Sequence, residues 1–204
     1  MTRPTASTAP SAILVEPCYA STMLIVFGGL PGTGKSTIAR ALARALRATY
    51  LRVDVIEHAI RLARGTDHPV GPEGYLVAYD VAASNLELGQ VVVADSVNPL
   101  TITREAWRGV AIRSDVTLLE IEIVCTDAAE HRRRVETRAT DIPGASLPTW
   151  EAVTTRNYEA WPEPHVVIDT ALASVEEATA RSLAAVQQLP RTRRTPGAPP
   201  HSPQ

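Results

Sequence analysis

Short apolar runs alternate along the chain with longer stretches in which apolar residues recur at helical spacing. Leu24-Ile25-Val26-Phe27 is the first run, and it ends in two glycines. Between residues 36 and 48, Ile38, Leu42, Ala45 and Leu46 fall on one face of a helix. The same reading predicts strands over 50–53, 91–94, 116–124 and 165–168. The run at 91–94 is wholly apolar and is expected to be buried on both faces. Helices are predicted over 75–88, stopped by Gly89, and over 101–113, 128–138, 150–161 and 175–189, with another starting near Val55. Residues 141–148 contain Pro143, Gly144 and Pro148 and are predicted to be a loop. Strands alternating with helices imply right-handed βαβ units and a parallel sheet of about five strands, covered by helices on both faces. No internal repeat is visible.

The two ends read differently. Residues 1–22 are rich in Thr, Ser, Ala and Pro, and Met23 directly precedes the first strand. This stretch is expected to be a disordered tail or an over-extended translation start. Residues 190–204 form a second Pro-rich tail, made basic by Arg191, Arg193 and Arg194. The 204 residues therefore hold one domain, over 23–189.

Composition narrows the partners. Apolar residues are 45% of the chain but aromatics only 4%, so the core is built mainly from Ala, Val, Leu and Ile. The formal charge of -2 gives no global field to recruit nucleic acid or an anionic membrane. Neither an extended nucleic-acid surface nor membrane association is expected, although local basic patches remain open. With only Cys18 and Cys125, a disulfide framework is not expected, and a reducing, cytoplasmic compartment is the default. No CxxC pair or His/Cys cluster points to zinc.

The chemistry is concentrated in Gly29-Leu30-Pro31-Gly32-Thr33-Gly34-Lys35-Ser36, which fits G-x-x-x-x-G-K-[ST] at every fixed position. It follows an apolar strand and opens a helix, the context in which such a loop wraps its main-chain N–H groups around a phosphate. Lys35 is expected to neutralise the β- and γ-phosphates, Ser36 to ligate Mg²⁺, and Thr37 to reach the α-phosphate. The bland alternative is a glycine-rich turn with an incidental lysine. ATP with Mg²⁺ is the expected cofactor pair, because no N/T-K-x-D guanine motif is present.

Further along come Arg52-Val53-Asp54, then Val91-Val92-Val93-Ala94-Asp95-Ser96-Val97-Asn98-Pro99 with Arg104 and Trp107, then Arg134 and Arg138. In this order and spacing the chain resembles the small P-loop kinase superfamily. That group includes gluconate and shikimate kinases, adenylylsulfate kinase, chloramphenicol phosphotransferase and the kinase half of polynucleotide kinase. The resemblance spans about residues 24–170. It implies a three-layer P-loop fold, an adenylate-kinase-like strand order 2-3-1-4-5, and a short lid at about 134–150.

The resemblance also assigns roles. Asp54, at the carboxyl edge of the sheet, would contact the acceptor hydroxyl as base or orienting group; its alternative is a helix N-cap. Asp95 would hold the Mg²⁺ shell, or be merely a polar strand end. Arg134 and Arg138, taken as one helical turn apart on a shared face, would be lid arginines covering ATP, or a solvated basic face. Arg104 would bind an anionic group of the acceptor, or be a surface arginine. Trp107 is expected in the core or cleft wall, and Tyr158 and Trp161 in packing. His68 and Tyr75 are expected in a surface connection, with acceptor contact as their alternative.

These residues predict an ATP-dependent phosphotransferase acting on a hydroxyl of a small molecule or nucleotide. Two other readings stay open: a P-loop ATPase or regulatory nucleotide-binding protein without a small acceptor, and a kinase of nucleic-acid 5′ ends. The sequence identifies neither the acceptor nor the oligomeric state.

Overall fold

The first apolar run becomes β1 (Met23–Gly28), and all six of its residues are buried. In the computed structural model, which describes residues 21–65 and 70–189, β1 is the middle strand of the sheet. It pairs in parallel with β3 (Val92–Asp95) on one side and β4 (Thr117–Val124) on the other. β2 (Thr49–Arg52) and β5 (Val166–Asp169) form the edges, giving the order β2-β3-β1-β4-β5 with every pairing parallel. The predicted α/β fold and strand order are those observed. The expectations for residues 1–20 and 190–204, including Cys18, and for His68 lie outside the described residues.

Alternation along β1 divides the core. Ile25 and Phe27 join Ile38 and Leu42 of α1 (Lys35–Leu46) and Val186 of α7 (Val175–Gln188) on one face. Leu24 and Val26 meet Val53 of α2 (Val53–Arg64), Ala82 and Leu86 of α3 (Glu73–Glu87), and Trp107 of α4 (Thr101–Arg113) on the other. Full burial of each large aliphatic side chain contributes about 1.5–3 kcal/mol. A strand buried on both faces is therefore the natural anchor for whatever sits at its tip. Among the described residues, no helix is long and apolar enough to cross a membrane.

Three local expectations need correction. The helix after residue 149 is short: α6 (Trp150–Thr154) stops well before Trp161. The buried Arg104 guanidinium donates to the carbonyls of Glu159 and Ala160, at 3.3 and 2.9 Å, and draws the chain into an irregular path. Pro162 also disfavours helical geometry at Trp161. The Trp161 ring then lies against the tip of β1, where a Cβ on Gly28 would fall 2.3 Å from the indole.

The second correction concerns α5 (Ala128–Thr137), whose C-cap is Arg138 in an extended conformation. The Arg138 N–H still bonds to the Arg134 carbonyl at 3.1 Å, so the two arginines stand one turn apart as expected, but the helix ends at Thr137, between them. The third concerns Asp54. The N-cap of α2 is Arg52, and Asp54 lies inside the first turn, so it does not cap the helix. A carboxylate there interacts favourably with the positive end of the helix dipole.

Candidate active site

Between the end of β1 at Gly28 and the start of α1 at Lys35, residues 29–34 make a loop whose shape is imposed from behind. Gly29 has φ +137°, and a Cβ there would stand 2.2 Å from the carbonyl oxygen of Ile123, so only glycine fits. Its N–H donates to the Val97 carbonyl at 3.0 Å. The buried Thr33 hydroxyl donates to the Leu30 carbonyl at 2.9 Å. Two side chains from distant elements hold loop carbonyls: Thr170 Oγ1 donates to Thr33 at 2.8 Å, and His131 Nε2 donates to Pro31 at 2.9 Å. Among the described residues, no backbone carbonyl takes the N–H groups of Gly32, Gly34, Lys35 or Ser36. Carbonyls tied outward and amides left over are what a phosphate-cradling loop requires.

Beneath the loop lies a buried charge pair. Lys35 Nζ contacts Asp95 Oδ1 at 2.9 Å, with the two side chains 6% and 0% exposed. The Tyr50 hydroxyl donates to Asp95 Oδ2 at 2.6 Å, and Ser36 also hydrogen-bonds this carboxylate. Burial alone would raise the Asp95 carboxyl. The Lys35 charge and the hydrogen bonds from Tyr50, Lys35 and Ser36 outweigh it and hold the group below the usual carboxylate range. Burial, followed by the adjacent Asp95 charge and hydrogen bond, pushes the Tyr50 hydroxyl upward, so Tyr50 stays a donor. β2 pairs with β3 so that Arg52 sits beside Asp95, which brings Arg52 Nε to 3.8 Å from Asp95 Oδ2.

The loop opens into a cleft of about 730 Å³. That volume is in the range of small-molecule sites. Leu30, Pro31, Gly32, Gly34, Lys35, Ser36 and Thr37 line one side; Gly29 and Thr33 stand behind them as supports. The opposite side is a polar stripe of α2, Asp54, Glu57, His58 and Arg61, faced by residues 139–142 and 145–148. Asp141 fastens that second segment. It accepts from Arg52 Nη1 at 2.8 Å and from Arg40 Nη2 at 2.6 Å, and these bonds lower its carboxyl to about 2. Asp54 lies 3.6 Å from Arg52 Nε and is partly exposed to the cleft.

The candidate arginines separate. Arg134 and Arg138 both line the cleft. Arg134 is committed elsewhere: it donates to Glu130 at 2.7 Å, to Thr170 Oγ1 at 2.9 Å and to the Thr170 carbonyl at 3.1 Å. Arg138 has no ion-pair partner within 4.0 Å among the described residues, and its Nε is buried without a hydrogen bond. Desolvation, only partly offset by Asp54, lowers its guanidinium from the ordinary value. Arg104 is not an acceptor contact: it is fully buried, bonded to the carbonyls of Asn98, Glu159 and Ala160, and 4.9 Å from the centre of the Trp161 ring. Trp107 is in the core, edge-on to Tyr79. Tyr75 lines the cleft, and its hydroxyl accepts from the Asn98 N–H at 3.0 Å. Tyr158 and Trp161 pack together, Tyr158 donating to Glu122 at 2.8 Å.

Sequence reasoning missed Tyr50, His131, Thr170 and the Arg40–Asp141–Arg52 clamp. Tyr50 carried a usable signal, as a polar-tipped aromatic on a strand running to the sheet's carboxyl edge. The others reach the loop across 100 and 137 positions, for His131 to Pro31 and Thr170 to Thr33, and no local pattern marks them. Among the described residues, no group of three or more His, Cys, Asp or Glu side chains is gathered as for a protein-held metal.

The fold has known counterparts. Residues 24–157 match a family described as an AAA domain, and the chain belongs to that family. No curated protein matches the sequence. Among solved structures it is similar to the APS kinase of Mycobacterium tuberculosis in complex with AMPPNP and APS, at 19% identity and a TM-score of 0.61, covering 82% of this chain and 99% of that one. It is also similar to a gluconokinase from Sinorhizobium meliloti 1021, at 18% identity, a TM-score of 0.58, and coverage of 83% and 93%. A sugar kinase from Janibacter sp. HTCC2649 matches at 16% identity, a TM-score of 0.57, and coverage of 82% and 95%. At these identities the likeness is one of fold, the α/β fold of these P-loop kinases.

Proposed function

We propose that the chain transfers the γ-phosphoryl group of ATP to a hydroxyl of a small molecule or nucleotide. One observation carries this reading: a loop with unspent amides and a buried lysine opens into the same cleft as Asp54 and the unpaired Arg138. In this mechanism Lys35 exchanges its contact with Asp95 for oxygens of the β- and γ-phosphates. Asp54 accepts the proton of the acceptor hydroxyl as that oxygen bonds to phosphorus. The bond from phosphorus to the bridging oxygen breaks, and its electron pair leaves with ADP. Arg138 offsets the negative charge spread over the transferring group. Arg134 positions α5 against the turn at Thr170 and does not act on substrate.

The donor set at the start of α1 suits magnesium. The Ser36 hydroxyl and the neighbouring Asp95 carboxylate would hold the ion, and when bound it would supply charge neutralisation to the phosphates.

The test is transfer from γ-labelled ATP to a panel of hydroxyl compounds by the purified chain, repeated with Asp54→Asn. The expected result is label on one acceptor class, with kcat reduced about 10²-fold or more in the variant. Slow hydrolysis that no hydroxyl compound accelerates would instead identify an ATPase or switch. Label on nucleic-acid 5′ ends with a steep salt dependence would identify an end kinase.

A further inference from the structure

Two peptides of the loop, Pro31–Gly32 and Thr33–Gly34, have a conformational choice that the glycines themselves do not make. Gly32 and Gly34 stand at φ +90° and +91°. Glycine takes either sign of φ at little cost, so the plane of the peptide before it can turn over while the rest of the chain hardly moves. A planar trans peptide points its C=O and its N–H in opposite directions. Turning either plane over would therefore present a carbonyl oxygen where an anion needs an amide. Among the described residues, no backbone carbonyl takes the Gly32 or Gly34 N–H, so nothing within the loop fixes their direction.

Each plane is pinned from outside, on its carbonyl. His131 Nε2 donates to the Pro31 carbonyl at 2.9 Å, and Thr170 Oγ1 donates to the Thr33 carbonyl at 2.8 Å. Both side chains are buried, and both are themselves held. The rings of His131 and Trp150 meet at 86° with centroids 5.2 Å apart. Val135, one turn along α5, closes on Gly32, where a Cβ would stand 2.5 Å from its Cγ2. Thr170 Oγ1 receives Arg134 Nη1 at 2.9 Å, while Glu130 holds Arg134 Nε at 2.7 Å. A hydroxyl has one proton to give. Of the two carbonyls in reach of Thr170 Oγ1, Thr33 at 2.8 Å is nearer than Val124 at 3.1 Å. Both pins ride on α5, His131 directly and Thr170 through Arg134. Resting on the nucleotide-binding part of the reading above, we propose that His131 and Thr170 are positioning residues for polyphosphate: each ties back the carbonyl of one loop peptide and so aims the amide of that same peptide, Gly32 for His131 and Gly34 for Thr170, at the phosphates. Neither side chain touches the nucleotide, and Arg134 acts at one further remove. The glycines make the inward amides accessible; α5 and the turn after β5 select them.

The experiment titrates the ¹⁵N-labelled full chain with inorganic tripolyphosphate and with a non-hydrolysable ATP analogue, by calorimetry and by amide NMR. Thr170→Val keeps the side-chain shape and loses the hydroxyl; His131→Phe keeps a ring and loses the donor. Each should weaken both ligands about tenfold or more, since a hydrogen bond to a charged group is lost. Thr170→Ser and His131→Gln, which restore a donor, should recover most of the affinity. The decisive readout is crossed. His131→Phe should remove the ligand-induced downfield shift of the Gly32 amide proton and spare that of Gly34, Thr170→Val should do the reverse, and Arg134→Gln should follow Thr170→Val. Unchanged Kd in both deletions would overturn the proposal. So would equal loss of both amide signals in each variant, the mark of general loosening, or a loss confined to the ATP analogue, the mark of a base contact. Transfer from γ-labelled ATP is followed separately. Crossed amide shifts without any transfer would keep the positioning role and remove the phosphotransferase reading. Transfer with unaltered Kd and amide shifts would do the opposite, and a wild type that binds neither ligand would overturn both.

Discussion

Around the phosphate loop the decisive ion pair, Lys35–Asp95, has side chains 6% and 0% exposed, whereas across the cleft the Arg40–Asp141 pair is 39% and 49% exposed. The first side is backed by a strand buried on both faces and by carbonyls tied to His131 and Thr170. The second is a helix with one buried residue, Val53, facing a segment fastened by a single carboxylate. Exposed pairs of the second kind contribute about 0–1 kcal/mol, while breaking a buried pair costs about 3–5 kcal/mol. A rigid side therefore meets a yielding one. On the proposed function, that division suits a site that holds the nucleotide in fixed geometry and leaves the acceptor side to vary.

The comparison breaks first, if it is to break, at Lys35. Lys35→Ala should lower transfer by about 10³-fold and also destabilise the fold by about 3 kcal/mol, because Asp95 is left as an uncompensated buried charge. Adding Asp95→Asn should restore much of the stability and none of the activity. Urea midpoints and γ-label transfer on the single and double variants measure both, and equal stability of the two would mean that the rigid side is not held by this pair.

Arg138→Ala is expected to act in the opposite sense on stability. Removing a half-buried, unmatched guanidinium should leave the urea midpoint unchanged or raise it, while kcat falls about 10²-fold. A clear loss of stability would show that Arg138 is tied into the fold as Arg134 is.

Acid should expose the same contrast. The folded Asp95 carboxyl is depressed below its unfolded value, so its contribution is complete above about pH 4 and is lost as pH falls through the lower folded value. Asp141, lowered to about 2, loses its contribution over the same window, but solvent screening limits it to under about 1 kcal/mol. Wild type and Asp141→Asn should therefore lose stability almost in parallel as pH falls from about 4 to about 2, whereas Asp95→Asn should show a flatter profile.

The smallest effect is expected for Asp141→Asn at neutral pH, a loss of about 0.5 kcal/mol that 1 M salt erases. A loss that persists in high salt would mean that the clamp works by packing and not by charge.

Much of the rigid side is legible in the chain, because its determinants are local. The apolar run before Gly28, the glycine spacing and Lys35-Ser36 lie within fourteen consecutive positions, 23–36. All five strands are also found within two residues of their predicted ends, since a parallel sheet covered on both faces needs continuous apolar runs. The yielding side is legible only in part. Asp54 is marked by its place after β2, but Arg61 and Arg156 join the cleft through a helix stripe and an irregular segment. Helical periodicity also misreads 150–161, because the chain leaves the helix after Thr154 for an irregular path whose Glu159 and Ala160 carbonyls meet the buried Arg104, 55 and 56 positions away. Arg134 and Arg138 look equivalent as i and i+4. What makes them different is long-range: Arg134 is taken by Thr170, 36 positions away, and Arg138 is not.

The indole seated on the tip of β1 separates the two neighbouring glycines of the sequence. Gly29 is demanded by the loop and by the oxygen of Ile123 behind it. Gly28 is demanded by Trp161, a residue more than a hundred positions away that has no part in phosphate chemistry. A methyl group at 28 would evict the ring, and with it the plate under Arg104 and the N–H that Tyr158 receives. Descendants that trade the tryptophan for a smaller residue are thereby freed to fill position 28. Those that keep it need a glycine at 28 for a reason separate from the phosphate loop.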